Sequence, residues 1–244
     1  MTEPNFRTSV VHLDRPGDPS VFDDQTRAEA AQLIARYPAG QARSALLPML
    51  HLVQSVQGQV TPDGIAFCAD QLDLTKAQVA AVSTFYTMYK RTPTGEHLVS
   101  VCTNTLCGML GGDDIFDALK DALGVGNNQT TADGTITLEH AECLAACDYA
   151  PVVTVNYEFY DNQTVDSAVA LAGKLQAGQR PQPSRGAPLC TFRQMERQIA
   201  GFYDAESAAP DATGTGTPTE VGVRLAVDRG QSAPSYSLAK GERA

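Results

Sequence analysis

The chain has 244 residues, a formal charge of −10, no tryptophan, and 43% hydrophobic against 19% charged residues. That length allows one or two domains with a real core. The negative balance argues against an electrostatic nucleic-acid binder or an anionic membrane surface as partner, since both draw affinity from Lys and Arg.

The N-terminus, MTEPNFRTSVVHLDRPGDPS, lacks the basic start and apolar run of a secretory signal. No apolar stretch approaches the roughly 18 residues of a spanning helix. A cytosolic chain without direct membrane insertion is therefore expected, and there clustered cysteines point to metal or redox chemistry before disulfides.

Residues 1–22 read as a polar arm, and 23–92 as a helical unit. FDDQTRAEAAQLIARYP predicts a helix ending near Pro38, and SALLPMLHLVQSVQG a second, with Leu46, Leu47, Leu50 and Val53 at helical spacing and Gly58 as its stop. TPDGIAFCADQL offers Thr61 as N-cap and Pro62 at the first helical position, where a missing N–H costs nothing. TKAQVAAVSTFYTMY opens with Thr75 and Gln78 at capping-box spacing and aligns Val79, Val82 and Tyr86.

The pattern changes over 95–180. HLVSV at His97 alternates as a strand, and the loop from Cys102 to Gly112 follows. DDIFDALKDALG predicts a helix with Asp113 as N-cap and Gly124 as stop. GTITLEH, PVVTVN and EFYDN read as strands, and TVDSAVALAGKLQAG as a closing helix. The βαββ(β)α order describes a compact α/β sandwich. The whole chain is thus α+β: a small helical bundle, an α/β domain and an extended C-terminal tail.

That tail, 181–244, is rich in Pro, Gly, Ala, Ser and Thr. One short helix is expected near 190–203, where Phe192, Met195, Ile199 and Phe202 form a stripe. It docks either on a partner or back on its own domain.

Cys102 and Cys107 occupy one loop, Cys143 and Cys147 another, each leaving a strand of the same small domain. Loops leaving one sheet edge can converge, and four thiolates suit either an iron-sulfur cluster or structural zinc. Two features favour the cluster. Zinc staples domains that cannot hold themselves together, whereas this one has its own periodic core. The loops are also lined by small, donor-rich backbone: Thr103, Asn104, Thr105 and Gly108, then Ala145 and Ala146. The spacing is not that of plant-type ferredoxins, and no CxxC supplies a thioredoxin-type dithiol.

CxxxxC at Cys102 and Cys107, CxxxC at Cys143 and Cys147, and APVV at Ala150 to Val153 resemble the thioredoxin-like 2Fe-2S ferredoxin family. ALLPMLHLVQ and VSTFYTMYK narrow the resemblance to the E-type peripheral subunits of bacterial NADH:quinone oxidoreductase, respiratory complex I, over about residues 45–178. It implies a thioredoxin-like fold, one 2Fe-2S cluster on the four cysteines, and electron exchange with a flavin. It places FMN and NADH on a partner flavin/NADH-binding subunit beside a neighbouring iron-sulfur subunit, all peripheral to the cytoplasmic side of the plasma membrane. Related subunits serve NAD-reducing hydrogenases and formate dehydrogenases. The family often has Gly in each cysteine loop, where this chain has Asn104 and Ala145, and a neutral residue at Asp148.

No catalytic residue is expected on this chain. No GxGxxG follows a strand and no Walker loop is present. Cys68 reads as a core thiol, Cys190 as a partner contact, and His51 and His97 as packed or surface imidazoles. Phe85, Tyr86 and Tyr89 read as core or interface aromatics. His140 could replace a thiolate as in Rieske centres, but four cysteines are already available. Pro151 stands where thioredoxin-like folds often use a cis bond. The rival from another class is a zinc-stapled interaction module without redox role.

Two ferric ions, two sulfides and four thiolates sum to about −2, and one electron makes about −3. Glu139, Glu142 and Asp148 beside the ligands should therefore oppose reduction, unless they point into solvent. Asp148→Asn is expected to raise the midpoint potential in a redox titration; an unchanged or lower value contradicts the idea.

Overall fold

A computed structural model describes residues 16–203 and 217–232. Most of the expected N-terminal arm, and the tail stretches 204–216 and 233–244, lie outside the described residues.

Helices α1 (Asp24–Ala35), α2 (Leu46–Gln57), α3 (Pro62–Leu72) and α4 (Lys76–Phe85) build the N-terminal unit. Their starts follow side-chain chemistry. Asp23 caps α1 by accepting from the Thr26 N–H at 2.8 Å. Thr61 caps α3 ahead of Pro62, and Thr75 and Gln78 make the anticipated capping box on α4. Leu33, Met49, Leu50, Val53, Phe67 and Val79 close their common core. Helix α4 stops earlier than its sequence pattern predicts, at Phe85, because Tyr86 turns extended.

The segment after α4 is sewn onto this unit by Gln54. Its buried amide donates to the Met88 carbonyl at 2.9 Å and accepts from the Lys90 N–H at 2.6 Å. Satisfying buried backbone in this way fixes where the next strand begins.

Strands β1 (His97–Cys102), β2 (Gln129–Thr130), β3 (Ile136–Ala141), β4 (Val153–Val155) and β5 (Glu158–Tyr160) form one sheet in the order β2-β3-β1-β4-β5. Only β1 and β3 pair in parallel, with Cys102 beside Ala141. Between them run the short helix α5 (Thr105–Met109) and α6 (Gly112–Leu123). Helix α7 (Val165–Gln176) follows β5. The sheet face bearing Val99, Val101, Leu138 and Val153 packs on Ile115 and Leu119 of α6 and Leu171 and Leu175 of α7. This is a mixed α/β layer of thioredoxin-like type. Three details differ from the sequence expectation: the short strand β2 is not among the expected strands, and two more concern the first cysteine loop. Cys107 lies in α5 rather than in open loop, and α6 starts after Gly111, not with Asp113 as its cap.

The tail contributes α8 (Phe192–Ile199) and α9 (Thr217–Asp228). Helix α9, which the sequence pattern does not predict, lies against the turn Cys147–Tyr149. Helix α8 packs back on α2. Its fully buried Glu196 meets His51 Nδ1 at 2.6 Å and accepts from the Tyr157 hydroxyl at 3.2 Å. Arg197 forks onto Glu29 of α1. Among the described residues no helix is long and apolar enough to cross a membrane.

The Arg197 hydrogen bonds hold the Glu29 carboxyl below its ordinary value. A depressed folded-state pKa gives stability that is complete above about pH 4.5 and is lost as pH falls through the lower folded value. Glu29→Gln should remove about 1 kcal/mol at neutral pH and flatten the acid limb of a urea-unfolding series. An acid limb of unchanged steepness in the variant contradicts this assignment.

Candidate functional site

The site begins where β1 and β3 end. Because they run parallel, the chain leaves both at the same edge. Cys102 is the last residue of β1, its N–H donating to the Val152 carbonyl at 3.1 Å, and the Thr103 N–H donates to the Ala141 carbonyl at 3.1 Å. Asn104 Nδ2 then donates to Glu142 Oε2 at 3.1 Å, lacing the first cysteine loop to the second. A side chain on Gly112 would collide with the carbonyls of Cys102 and Cys107. Only glycine lets α6 start this close beneath them.

Cys102 and Cys107 are buried, in a small apolar cluster with Ala146 and Val152, apart from the main core. Cys143 and Cys147 are exposed, with their sulfurs 3.9 Å apart. The Cys102 thiol donates to the Glu142 carbonyl at 3.1 Å, and the Ala145 N–H points at Cys143 Sγ, 3.4 Å away. The two halves feel each other. Burial, with the neighbouring Cys102, pushes the Cys107 thiol up to about 11, and Cys147 acts on it as well. Cys147 is raised chiefly by its contact with Cys143, and Cys102 adds to this. At neutral pH Cys107 and Cys147 hold their protons, so any metal must expel them on binding.

Among the described residues no three His, Cys, Asp or Glu side chains gather round a single point suited to one ion. The thiols instead stand as two pairs on adjoining turns. Two pairs of soft donors suit a binuclear iron-sulfur centre, where ligands divide between two irons, as they also suit the four-thiolate set of a structural zinc.

A match to the family model for the thioredoxin-like [2Fe-2S] ferredoxin spans residues 30–176. The chain belongs to that family. It is 56% identical over 250 residues to the E subunit of the NADH-quinone oxidoreductase of Mycobacterium tuberculosis (strain ATCC 25618 / H37Rv), covering 96% of the chain and 97% of the relative. It is 37% identical over 155 residues to the protein of the same name from Rickettsia bellii (strain RML369-C), covering 63% and 93%. A solved NAD+-reducing [NiFe]-hydrogenase aligns with a TM-score of 0.48 and 20% identity, over 53% of this chain and 23% of that one.

The structure also places the other residues singled out in the sequence. Glu139 does not face solvent: it is paired with Lys90 Nζ at 2.5 Å and accepts from the Ser100 hydroxyl at 2.8 Å. Its charge is thereby offset. Glu142 accepts from Asn104, and His140 contacts Thr103 at 3.4 Å. Cys68 is fully buried in the helical core, where burial raises its thiol well above the ordinary range. Cys190 is not left for a partner as expected: it is buried within this chain, its carbonyl accepting from Asn156 Nδ2 at 2.7 Å, because the segment carrying it packs back on the protein. Burial lowers His97. Tyr89 is core, its hydroxyl donating to the Leu47 carbonyl at 3.0 Å, whereas Phe85 and Tyr86 are exposed. The Ala150–Pro151 bond is cis.

Sequence reasoning passed over Lys90, Gly112 and the exposed trio Leu106, Met109 and Leu110 beside Cys107. Glycine after glycine at the foot of a cysteine loop was the available signal for Gly112; nothing local marks Lys90.

Ala145 sits at φ 56°, a left-handed conformation costly for a side chain. Ala145→Gly should stabilise the metal-free chain by about 0.5–1 kcal/mol, read as a higher urea midpoint. A lower midpoint would show the loop is not strained there.

Proposed function

We propose that the chain is the non-catalytic electron-transfer subunit of an NADH:quinone oxidoreductase, carrying one 2Fe-2S cluster on Cys102, Cys107, Cys143 and Cys147. The observation that carries this reading is two thiol pairs on adjoining turns. They lie in a chain similar over 96% of its length to an NADH-quinone oxidoreductase subunit of the E type. The FMN and the NADH site belong on a flavin-binding partner, next to a neighbouring iron-sulfur subunit. The whole assembly would lie against the cytoplasmic side of the plasma membrane.

When bound, such a cluster supplies reversible one-electron chemistry. This chain's residues prepare its surroundings. The apolar cluster round Cys102 and Cys107 excludes water from one side of the site and lowers the local dielectric. The Ala145 N–H, aimed at the Cys143 sulfur, favours added negative charge there. Lys90 offsets the Glu139 carboxylate, removing one source of repulsion toward an incoming electron. Cys143 and Cys147 face outward, so a donor docked on this side approaches closely. Leu106, Met109 and Leu110, exposed beside Cys107, supply apolar surface for that docking.

Purified anaerobically, the full chain should be red-brown, contain two irons and two acid-labile sulfides, bleach with dithionite and give an EPR signal when reduced. Cys143→Ser should lose most of its iron or show an altered spectrum. A colourless protein holding one zinc would overturn the proposal in favour of a structural metal.

A further inference from the structure

The tail segment that follows α7 crosses the open edge of the sheet. The Ser184 N–H donates to the Phe159 carbonyl at 2.8 Å, the Asp161 N–H donates to Ser184 Oγ at 2.9 Å, and Phe159 and Arg185 form an antiparallel bridge. Strand β5 is an edge strand, so this pairing covers backbone groups that would otherwise stand open. It also delivers one cation to a specific place. The Arg185 guanidinium lies 4.2 Å from the Phe159 ring centroid and 4.9 Å from that of Tyr149. Its Nε and Nη2 donate to the two oxygens of Asp161 at 3.0 and 3.3 Å. Only 17% of the Arg185 side chain and 7% of that of Asp161 remain exposed. A planar fork held this dry between two rings is a strong and directional contact.

What it holds is the second cysteine turn. Tyr149 ends the single 3₁₀ turn that begins at Cys147, with its own N–H donating to the Ala146 carbonyl at 2.9 Å. The Asn162 N–H donates to the Tyr149 carbonyl at 2.9 Å. The turn is therefore pinned through its backbone by Asn162 and through its ring by Arg185. The loop before it is tied to the first cysteine loop at Glu142, while Cys143 and Cys147 remain exposed and Ala145 is left-handed. Arg185 lies beyond residue 176, where the family match ends.

Building on the 2Fe-2S reading above, we infer that Arg185 is a positioning residue for the second thiol pair, clamping Tyr149 so that Cys147 is held in place for metal. It touches neither sulfur and carries no electron. A loop already ordered loses less freedom when it binds, and releases its metal more slowly.

The test uses the full chain with its cluster, measuring bleaching by a chelator and the EPR spectrum of the reduced state. Arg185→Ala and Tyr149→Leu should each bleach several-fold faster and broaden the spectrum. The double variant should be no faster than the faster single one, since the two remove the same contact. Arg185→Lys should resemble Arg185→Ala, because lysine lacks the planar fork. Arg193→Ala, which frees another tail guanidinium from the Val56 carbonyl, should behave as wild type. Wild-type behaviour of Arg185→Lys would mean that charge alone matters, and additive singles or fast bleaching of Arg193→Ala would mean general loosening of the tail; any of these overturns the inference. If Arg185→Ala does not fold, Arg185→Lys and Tyr149→Leu decide the question. A wild-type chain without acid-labile sulfide defeats the cluster reading itself, a result distinct from variants that keep a normal cluster.

Discussion

Because β1 and β3 run parallel and in register, with Cys102 beside Ala141, the two segments that carry the thiols must leave the sheet at one end. Antiparallel pairing of the same strands would send them to opposite ends, and no choice of loop residues would bring the sulfurs together. A parallel pair needs a crossover, and α6 supplies it. The crossover must start directly under the first cysteine loop, which is why its first residue is a glycine with no room for a side chain. Strand direction, crossover and glycine thus form one requirement, of which the thiol site is the outcome.

The same sheet explains how charge is handled. One face is largely apolar and packs on α6 and α7. The other carries Ser100, Thr137, Glu139 and Thr154, an unusual set for a covered surface. It is tolerated because these groups are answered from the segment linking α4 to β1: Lys90 reaches Glu139, and the Gly95 N–H donates to Thr137 at 2.8 Å. Within the described residues Thr154 Oγ1 is the buried side-chain atom left without a partner. The helical unit is in this sense the electrostatic cover of the sheet, and Gln54, by fixing the backbone of Lys90, sets where its cation falls.

Much of this was legible in the residues, for reasons that differ element by element. Thr61–Pro62 and Thr75–Gln78 carry local chemistry that no tertiary contact had to supply, and both caps form. Cysteine spacing marked two turns, though only pairing direction could bring them together. Where reading failed, a local rule lost to packing. Asp113 has the right side chain for a cap, yet Gly111, at φ 105°, takes the place because the chain must turn sharply there. Strand β2 is two residues long and has no period to detect. Glu139 has no neighbour in sequence that reveals Lys90, its partner across 49 positions.

The tail shows most clearly why composition misleads. Rich in Pro, Gly, Ser and Ala, it reads as chain that cannot bury enough surface to order itself. Its described part is nevertheless ordered by borrowing: Phe192 and Met195 enter the protein interior, Glu196 is shared by His51 and Tyr157, and Arg197 is fixed by Glu29. Each anchor touches a different element of the body, so α8 fastens the helical unit to the sheet domain as well as itself. A segment of low intrinsic order can in this way act as a fastening, because the entropy lost in ordering it is offset by the contacts it makes with both larger units at once.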